Sequence, residues 1–431
     1  MSAVTTRPPE PVQEERAAVL APISWRWPIL YGVLALLALV FFTLLPETGQ
    51  STTYQLSRGG DAWSIPNFAV PSTLSNWVLV AIMAALTAYV TYATMNRRSV
   101  GKWVPILFGI AFVLTFLTWV GAGRGTVIPI TTLLSGALAL SVPLVFGALA
   151  GVVCERSGII NIAIEGQLLS GAFLAAVIGS LTSSAYLGMI AAPLAGALVG
   201  VLLAFFAVRY WVDQIIVGVV LNVLVIGVTS FLFSTVLTEN KATWNASQRL
   251  PDLPIPLLSE IPIIGPVLFR QTLLVYLMYA VVIFLQIWVF RSRWGLRMRA
   301  VGEHPKAADT VGIKVNRTRV VNTILGGAIA GLGGAFFTVG SGLAFGKEMS
   351  AGQGYIALAA MILGKWNPTG AVAAALLFGF SKNLGNVLST IGSTVPSEFL
   401  LMLPYAVTIF AVAGLVGRVR APASENIPYI K

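Results

Sequence analysis

Three charged side chains, Glu155, Arg156 and Glu165, lie in the segment CERSGIINIAIEG (154–166), between two long apolar runs. A lipid-facing charge at the centre of a bilayer costs at least about 2.5–3.5 kcal/mol. Two placements therefore remain open. The segment is either a turn whose charges touch water, or a broken, partly embedded segment that lines a polar path, with Arg156 paired to a carboxylate. Asn161 adds an amide among isoleucines.

Transport along a polar path, rather than catalysis, is the chemistry that this composition favours. The chain has a single Cys and a single His, His304, so we expect no disulfide, no metal site and no catalytic triad. No GxxxxGK[ST] phosphate-binding loop occurs, so the chain cannot hydrolyse ATP alone. We expect neither enzymatic activity nor a cofactor bound to this chain.

The composition predicts an all-α polytopic membrane protein. Hydrophobic residues make up 57% of the 431 residues, charged residues only 10%, and the mean hydropathy is +0.85. Soluble domains carry about 25% charged residues. Because roughly 20 apolar residues span a bilayer, we expect about 11 or 12 transmembrane or half-membrane helices. The apolar segments fall at 28–45, 76–95, 103–123, 130–153, 167–184, 186–208, 215–237, 272–290, 322–345, 354–364, 369–391 and 398–416.

A second interruption, GQGYIALAAMILGKWNPTGA, lies in the other half of the chain. Its apolar run, 354–364, is too short to cross a bilayer as a straight helix. Short hydrophobic segments interrupted by Gly or Pro in both halves of a chain indicate the substrate site of a transporter. We therefore expect broken segments near 154–166 and 352–368. The candidate residues of a translocation path and its support are Glu155, Arg156, Asn161, Glu165, Gly354, Lys365 and Asn367.

The distribution of Lys and Arg predicts the orientation of the chain. Residues 291–320 carry eight basic side chains against two acidic ones. The positive-inside rule places this loop in the cytoplasm, together with the loop near Arg97 and both termini. The loops at 46–75 and 238–271 are nearly charge-balanced, so we expect them to lie outside the cell. The same rule accounts for the net charge of +11, so no nucleic acid partner is expected.

Four motifs resemble those of a known family. They are CERSGIINIAIEGQLLSGAF, GLRMRAVGEHPKAADTVGI, GQGYIALAAMILGKWNPTGA and APASENIPYIK, in this order along residues 130–431. They are similar to the permease subunits of bacterial nucleoside ABC importers, within the branched-chain amino acid and simple-sugar ABC permeases. The resemblance implies a multi-pass protein of the bacterial cell membrane that pairs with a second, related permease subunit. It further implies a separate ABC ATPase subunit that binds the ATP, and an extracellular nucleoside-binding lipoprotein.

The resemblance also favours the embedded placement of the first interruption. In that arrangement we expect Glu155 and Arg156 to form one buried pair that holds the broken segment. Breaking a buried ion pair costs about 3–5 kcal/mol, because one charge is left without its partner. We expect Asn161 and Glu165 to face the path.

The basic loop contains a candidate contact with the ATPase. ABC permeases present a short cytoplasmic helix to a groove on the ATPase, and GEHPKAADTVGI (302–313) is similar to that helix. Pro suits the first turn of a helix and Gly suits its end, while small alanines suit insertion into a groove. A solvated, positively charged loop is the alternative interpretation. The expected ATPase-coupling residues are Glu303, Pro305, Ala307, Ala308, Asp309 and Gly312.

The expected organisation has four parts. They are a disordered cytoplasmic tail over 1–25, an N-terminal extension with three transmembrane helices over 26–129, the ABC permease core over 130–420 and a cytoplasmic C-terminal tail over 421–431. Within the core, Gly196 and Gly200 form one pair of glycines spaced four residues apart, and Gly327 and Gly331 form another. Such pairs permit close approach of helices, and we interpret them as packing.

Other functions remain open from the residues alone. A permease of the same type could carry a simple sugar. An ion-coupled secondary transporter would use Glu155, Glu165 or Asp213 as its proton or cation site. A purely structural membrane subunit is the third possibility. The helix at 302–313 discriminates between them, since a secondary transporter needs no contact with an ATPase.

Overall fold

The computed structural model describes residues 24–61, 63–101, 103–392, 396, 398–399, 401–402 and 420–431. The α-helices are α1 (Arg26–Leu39), α2 (Ser72–Met95), α3 (Trp103–Gly121), α4 (Ile130–Glu155), α5 (Ile164–Leu181), α6 (Ala185–Ala204), α7 (Gln214–Leu232), α8 (Lys241–Trp244), α9 (Leu273–Arg291), α10 (Arg293–Glu303), α11 (Pro305–Thr310), α12 (Val315–Gly334), α13 (Gln353–Leu363) and α14 (Pro368–Thr390). Short π-helical turns follow at Val40–Leu44, Phe205–Arg209, Phe233–Leu237 and Gly265–Phe269, and 3-10 turns at Leu258–Glu260 and Ala335–Phe337. The strands are β1 (Ser51–Gln55), β2 (Phe68–Pro71), β3 (Val127–Pro129), β4 (Asp252–Pro254) and β5 (Arg270–Thr272).

Ten of the described helices are long and apolar enough to cross a membrane. Each predicted apolar segment within the described residues coincides with one of them or with the shorter α13. The prediction of an all-α polytopic membrane protein with a half-membrane helix is therefore confirmed. Most of the predicted segment 398–416 lies outside the described residues, as does nearly all of the tail predicted for 1–25.

The chain divides into two compact units, one of Met1–Thr52 with Val70–Gly123 and the other of Thr53–Ala69 with Arg124–Lys431. Helices α1, α2 and α3 form the first unit. Their core is rich in aromatic rings, since Tyr31 packs on Phe108 with ring centroids 4.4 Å apart and Phe42 stacks on Trp119 at 5.0 Å. A three-helix extension was predicted for 26–129, but residues 53–69 and 124–129 of that range belong to the second unit.

Hydrogen bonds explain why this loop joins the second unit. Part of β1 pairs in parallel with β3, with Thr53 opposite Val127. The guanidinium of Arg58 donates to the carbonyl oxygen of Thr131 at 2.6 Å. A polar loop of this kind is placed by its backbone partners rather than by apolar periodicity, so the sequence pattern did not predict its position.

Helix α4 forms the centre of the second unit. Every residue from Ser141 to Glu155 is buried, and α4 packs against α12, α13 and α14. A helix that is apolar all round is expected to be enclosed by other helices. Helix α13, in the second interruption, therefore packs against the most enclosed of the described helices.

Glycines permit the close crossing of α6 and α12. A Cβ atom on Gly196 would lie 2.2 Å from the carbonyl oxygen of Gly327, and one on Gly331 would lie 2.5 Å from that of Ala192. Real side chains do not approach a backbone oxygen so closely, so only Gly fits at these positions. The interpretation of the glycine pairs as packing is confirmed.

We predict that Gly196→Leu lowers the thermal stability of the protein in detergent, because overpacking costs about 1–3 kcal/mol. Gly227→Leu is the matched control, since a Cβ atom on Gly227 meets nothing within 4 Å. Thermal unfolding of the two purified variants checks the prediction. Equal midpoints for Gly196→Leu and Gly227→Leu would contradict the tight crossing.

Candidate translocation site and its support

The first interruption is the non-helical segment 156–163 between α4 and α5. It is largely buried, and Ile159, Asn161 and Ala163 are fully enclosed. The backbone turns at Gly158, whose φ is +91°, a conformation that favours Gly. The segment is therefore enclosed by protein rather than exposed as a turn in water, and its placement within the membrane stays a prediction.

Two amide side chains of α7 satisfy the backbone of this interruption. Gln214 accepts a hydrogen bond from the N–H of Ile160 at 2.7 Å. Asn222 donates to the carbonyl oxygen of Ile162 at 2.9 Å and accepts from the N–H of Gly166 at 2.8 Å. Non-helical backbone at membrane depth persists only where protein or water satisfies it. Neither amide was predicted, although each is a polar residue in an apolar span.

The second interruption encloses α13 between two left-handed turns. Gly352 precedes the helix with a φ of +77°, and Lys365 and Trp366 follow it with φ values of +57° and +52°. Asn367 then begins α14, because its side-chain oxygen accepts a hydrogen bond from the N–H of Thr369 at 3.0 Å. The predicted residues Lys365 and Asn367 thus end one helix and start the next.

Glu165 binds the N-terminal end of α13. One carboxylate oxygen accepts hydrogen bonds from the hydroxyl of Ser350 at 2.6 Å and from the N–H of Gly352 at 2.8 Å. The other accepts from the N–H of Gly354 at 2.6 Å. A Cβ atom on Gly354 would lie 2.4 Å from the backbone nitrogen of Glu165, so Gly is required here. A negative charge at a helix N-terminus is electrostatically favourable.

Glu155 and Arg156 bind the opposite end of α13 through Trp366. The indole N–H of Trp366 donates to Glu155 at 2.6 Å, and the Nε of Arg156 donates to the carbonyl oxygen of Trp366 at 3.0 Å. A positive charge near carbonyl groups at a helix C-terminus is favourable for the same reason. We call Glu155, Arg156, Glu165, Ser350 and Trp366 the half-helix clamp.

The structure differs from the predicted pair of Glu155 and Arg156. The described residues form three ion pairs, and neither residue takes part in them. Arg156 instead lies over the ring of Phe290 at 5.7 Å. Both charged residues are held by Trp366, a shared partner more than 200 positions away that spacing along the chain could not indicate.

Asn161 and Glu165 do not present free polar groups in this structure, contrary to expectation. Asn161 is fully buried, and its amide exchanges hydrogen bonds with that of Gln167 at 2.9 and 3.1 Å. Glu165 is 5% exposed and uses both oxygens on the half-helix. Tyr355, on α13 beside the clamp, has an exposed ring, and its hydroxyl is bonded to Asn222 at 3.1 Å.

The predicted ATPase-coupling segment is helical. Pro305 occupies the first turn of α11, and Gly312 follows the helix with a φ of +83°. Glu303 and Ala307 are exposed. Ala308 is 2% exposed and packs with Val301, Val315 and Tyr429. Ala308 therefore faces the protein, so it cannot enter a groove on a partner as expected.

Residues 420–431, which we call the strap, pack on α10 and α12. The buried guanidinium of Arg319 donates to the carbonyl oxygens of Ile427 at 2.8 Å and of Ser424 at 3.3 Å. The N–H of Ser424 donates to the carbonyl oxygen of Gly302 at 2.9 Å. The predicted tail at 421–431 is thus a packed segment whose backbone is bound by the helices.

The strap also reaches α7 and the first interruption. Asn426 donates to Asp213 at 3.1 Å, while Asp213 accepts from the N–H groups of two residues at the start of α7. The hydrogen bond from the backbone of Ile216 is the largest of the effects that lower the pKa of Asp213 below its usual range. The Glu425 carboxyl lies beside that of Glu155, and burial raises the pKa of Glu425.

Asp309, another of the predicted coupling residues, contacts the end of the strap. Its carboxylate pairs with the ammonium of Lys431 at 3.4 Å. The ion pair is largely exposed on the Lys431 side, so it contributes little to stability. The ion pair instead positions the strap, because it holds the end of the strap along α11.

A helical membrane bundle with two interruptions that bind each other has the architecture of a transport protein. The family described as "Branched-chain amino acid transport system / permease component" matches residues 133–412. The match covers more than half of the chain, and the chain belongs to this family. It includes the half-helix clamp, α10 and α11, and it leaves out α1, α2 and α3.

Three relatives illustrate the similarity. The guanosine ABC transporter permease protein NupQ of Bacillus subtilis is 36% identical over 307 residues, which are 68% of this chain and 95% of NupQ. The nucleoside ABC transporter permease protein NupC of Lactococcus lactis is 39% identical over 303 residues, with the same two shares. Bacillus subtilis has a second guanosine ABC transporter permease protein, NupP, which is 29% identical over 64% of this chain and 82% of its own length. No solved structure matches the chain.

We predict that Glu165→Gln destabilises the protein by about 1–3 kcal/mol, because an amide NH2 would face a backbone N–H that needs an acceptor. Ser350→Ala removes a donor to the same carboxylate, so the double variant should be destabilised by less than the sum. Thermal unfolding in detergent measures each effect, with the exposed Glu260→Gln as control. Strict additivity, or a stability equal to that of the control, would show that Glu165 does not hold the half-helix.

We predict that the strap contact weakens as pH rises. An unfolded glutamate ionises near about pH 4.3, and burial raises the pKa of Glu425 in the folded chain. The folded state therefore binds more protons between these two values, and stability falls as pH rises through the raised pKa. Glu425→Gln should flatten this decline in a series of thermal unfolding curves. Parallel curves for wild type and Glu425→Gln would refute the prediction.

Proposed function

We propose that this chain is the transmembrane permease subunit of an ABC importer and forms part of the translocation path for nucleosides. The observation that carries the proposal is the similarity to NupQ and NupC over 95% of their lengths, since both are named for guanosine or nucleoside transport. The exposed ring of Tyr355 supports it, because nucleobases stack on aromatic rings.

The proposal includes three partners. A second, related permease subunit completes the path, which is supported by the two guanosine permeases named in Bacillus subtilis. A separate ABC ATPase subunit binds the ATP, as expected for a chain without a phosphate-binding loop. An extracellular nucleoside-binding lipoprotein delivers the substrate. The chain itself acts as a transporter component and not as an enzyme.

The orientation follows from the loop charges. The end of the bundle that carries α10, α11 and the strap faces the cytoplasm, and so do both termini and residue 97. Residues 55 and 250 face the outside. In this orientation the strap and α11 lie where a cytoplasmic ATPase can reach them.

The contact with the ATPase involves the exposed side of α11 and the turn that follows it. Val311 is 75% exposed and is an apolar side chain in a segment that is otherwise rich in charge. Exposed apolar groups outside a membrane indicate contact with another protein. Glu303, Ala307 and Gly312 are exposed on the same segment, whereas Ala308 supports it from within.

The ion-coupled alternative needs a carboxylate that is available to bind and release a cation. Glu165 accepts three hydrogen bonds from the half-helix. Asp213 caps α7 and binds the strap, and Glu155 accepts the indole N–H of Trp366. These partners favour structural roles for all three carboxylates, and so they favour the ABC permease.

Uptake of labelled substrate tests the proposed function. A strain that lacks this chain is compared with the same strain complemented by it, using labelled guanosine, cytidine and glucose. We expect complementation to restore uptake of one or both nucleosides. Restored uptake of glucose alone would assign the chain to sugar transport, and uptake that persists in a strain without the partner ATPase would contradict the ABC mechanism.

We predict that Val311→Asp lowers both uptake and co-purification of the ATPase with the tagged permease, because a charge replaces an apolar contact. Leu257→Asp is the matched control, since Leu257 is 79% exposed in a loop predicted to lie outside the cell. Both variants should reach the membrane at wild-type levels, because surface substitutions rarely change stability by more than about 0.5 kcal/mol. Full retention of the ATPase by Val311→Asp would exclude this segment as the coupling contact.

A further inference from the structure

Exposed apolar side chains cluster at the proposed cytoplasmic end of the bundle. Ile427 is 53% exposed and Ile430 is 61% exposed, and both belong to the strap. The strap lies outside the helices that can span a membrane, so lipid tails do not account for this exposure. Exposed apolar groups in contact with polar surroundings indicate a binding surface.

The two isoleucines border a groove that the strap and α11 form together. The groove has a volume of about 580 Å³. His304, Lys306 and Ala307 line one side of it, and Ile427, Pro428 and Ile430 line the other. A partner that touches the exposed side of α11 therefore meets the strap as well.

We propose that the strap and α11 form one composite docking surface for the ATPase subunit, with Ile427 and Ile430 as its apolar anchors. This inference rests on the proposed function, because it needs an ATPase that binds the permease. It goes beyond that function because it assigns a binding partner, the ATPase, to residues 420–431, which lie outside the coupling helix.

Contacts within the chain show that the composite surface is one structural piece. Tyr429 packs against Ala308 on the inner side of α11. Lys431 pairs with Asp309 at 3.4 Å, and Arg319 holds the backbone of the strap from below. The strap is thus continuous with the coupling segment and does not need to fold when a partner arrives.

The shape and charge of the groove fit a protein partner. Of the residues that line it, Lys306 is exposed and basic, and none is acidic. A net positive rim fits a partner with acidic groups at its contact edge. A flat lipid surface would not fill a concave groove, whereas a protruding helix or loop of the ATPase would.

The strap also gives the docked ATPase a route to the half-helix clamp. A Cβ atom on Gly158, in the first interruption, would lie 2.9 Å from the guanidinium of Arg319 and 3.2 Å from the carbonyl oxygen of Ser424. The Glu425 carboxyl lies beside that of Glu155. Movement of the strap would therefore reach the interruption by direct contact and not only through α10 and α12.

Co-purification of the ATPase with the full complex tests the proposal. The double variant Ile427→Asp with Ile430→Asp is compared with Val311→Asp and with the control Leu257→Asp. We expect about tenfold less ATPase on the double variant, since truncating a central apolar anchor typically costs more than 1 kcal/mol. Membrane levels and thermal stability should match wild type, because both side chains are exposed. If the double variant folds poorly, Ile430→Ser is measured in its place.

The outcomes separate this inference from the proposed function. If Val311→Asp releases the ATPase but the strap variant retains it, the composite surface is wrong and the coupling segment stands. If neither variant releases the ATPase, both ideas fail. If the strap variant retains the ATPase but no longer binds vesicles that contain phosphatidylserine, the strap binds lipid and the inference is overturned.

Discussion

The structure depends on one constraint, namely that every backbone polar group of a broken helix buried in the protein must find its partner there. Helix α13 leaves N–H groups unsatisfied at one end and carbonyl groups at the other. Glu165 accepts hydrogen bonds from the N–H groups at the N-terminal end. Arg156 donates to a carbonyl oxygen just beyond the C-terminal end. The signs of the two charges match the helix dipole, so the same residues satisfy both hydrogen bonding and electrostatics.

This constraint couples segments that are far apart in the chain. The first interruption binds α13, and its own backbone is bound by α7 through Gln214 and Asn222. Asn222 also reaches Tyr355 on α13. The strap in turn binds the start of α7, because Asn426 donates a hydrogen bond to Asp213. A displacement at the proposed cytoplasmic end can thus reach the half-helix through directly bonded elements.

The sequence predicted those features that depend on local pattern. Apolar length identified the spans and the short α13, and glycine spacing identified close-packing positions on α6 and α12. It did not predict the partner of Glu155, because Trp366 is distant in the chain and its left-handed φ follows from tertiary contacts. It misplaced Ala308, since a six-residue helix has too few turns to define its inner face. It predicted a tail at 421–431, because this short segment has no periodicity and is ordered by Arg319.

The carboxylates of this network differ in the groups that they face. Glu165 faces only donors, and its three hydrogen bonds fix the start of α13. Glu155 accepts the indole N–H of Trp366 and also lies beside Glu425, and two carboxyl groups in contact need a proton between them. The contact between strap and interruption is therefore the part of the network whose strength depends on protonation. The other strap bonds run to carbonyl oxygens and to the ionised Asp213, so a change at Glu425 would loosen the strap beside the clamp without detaching it from α12 and α7.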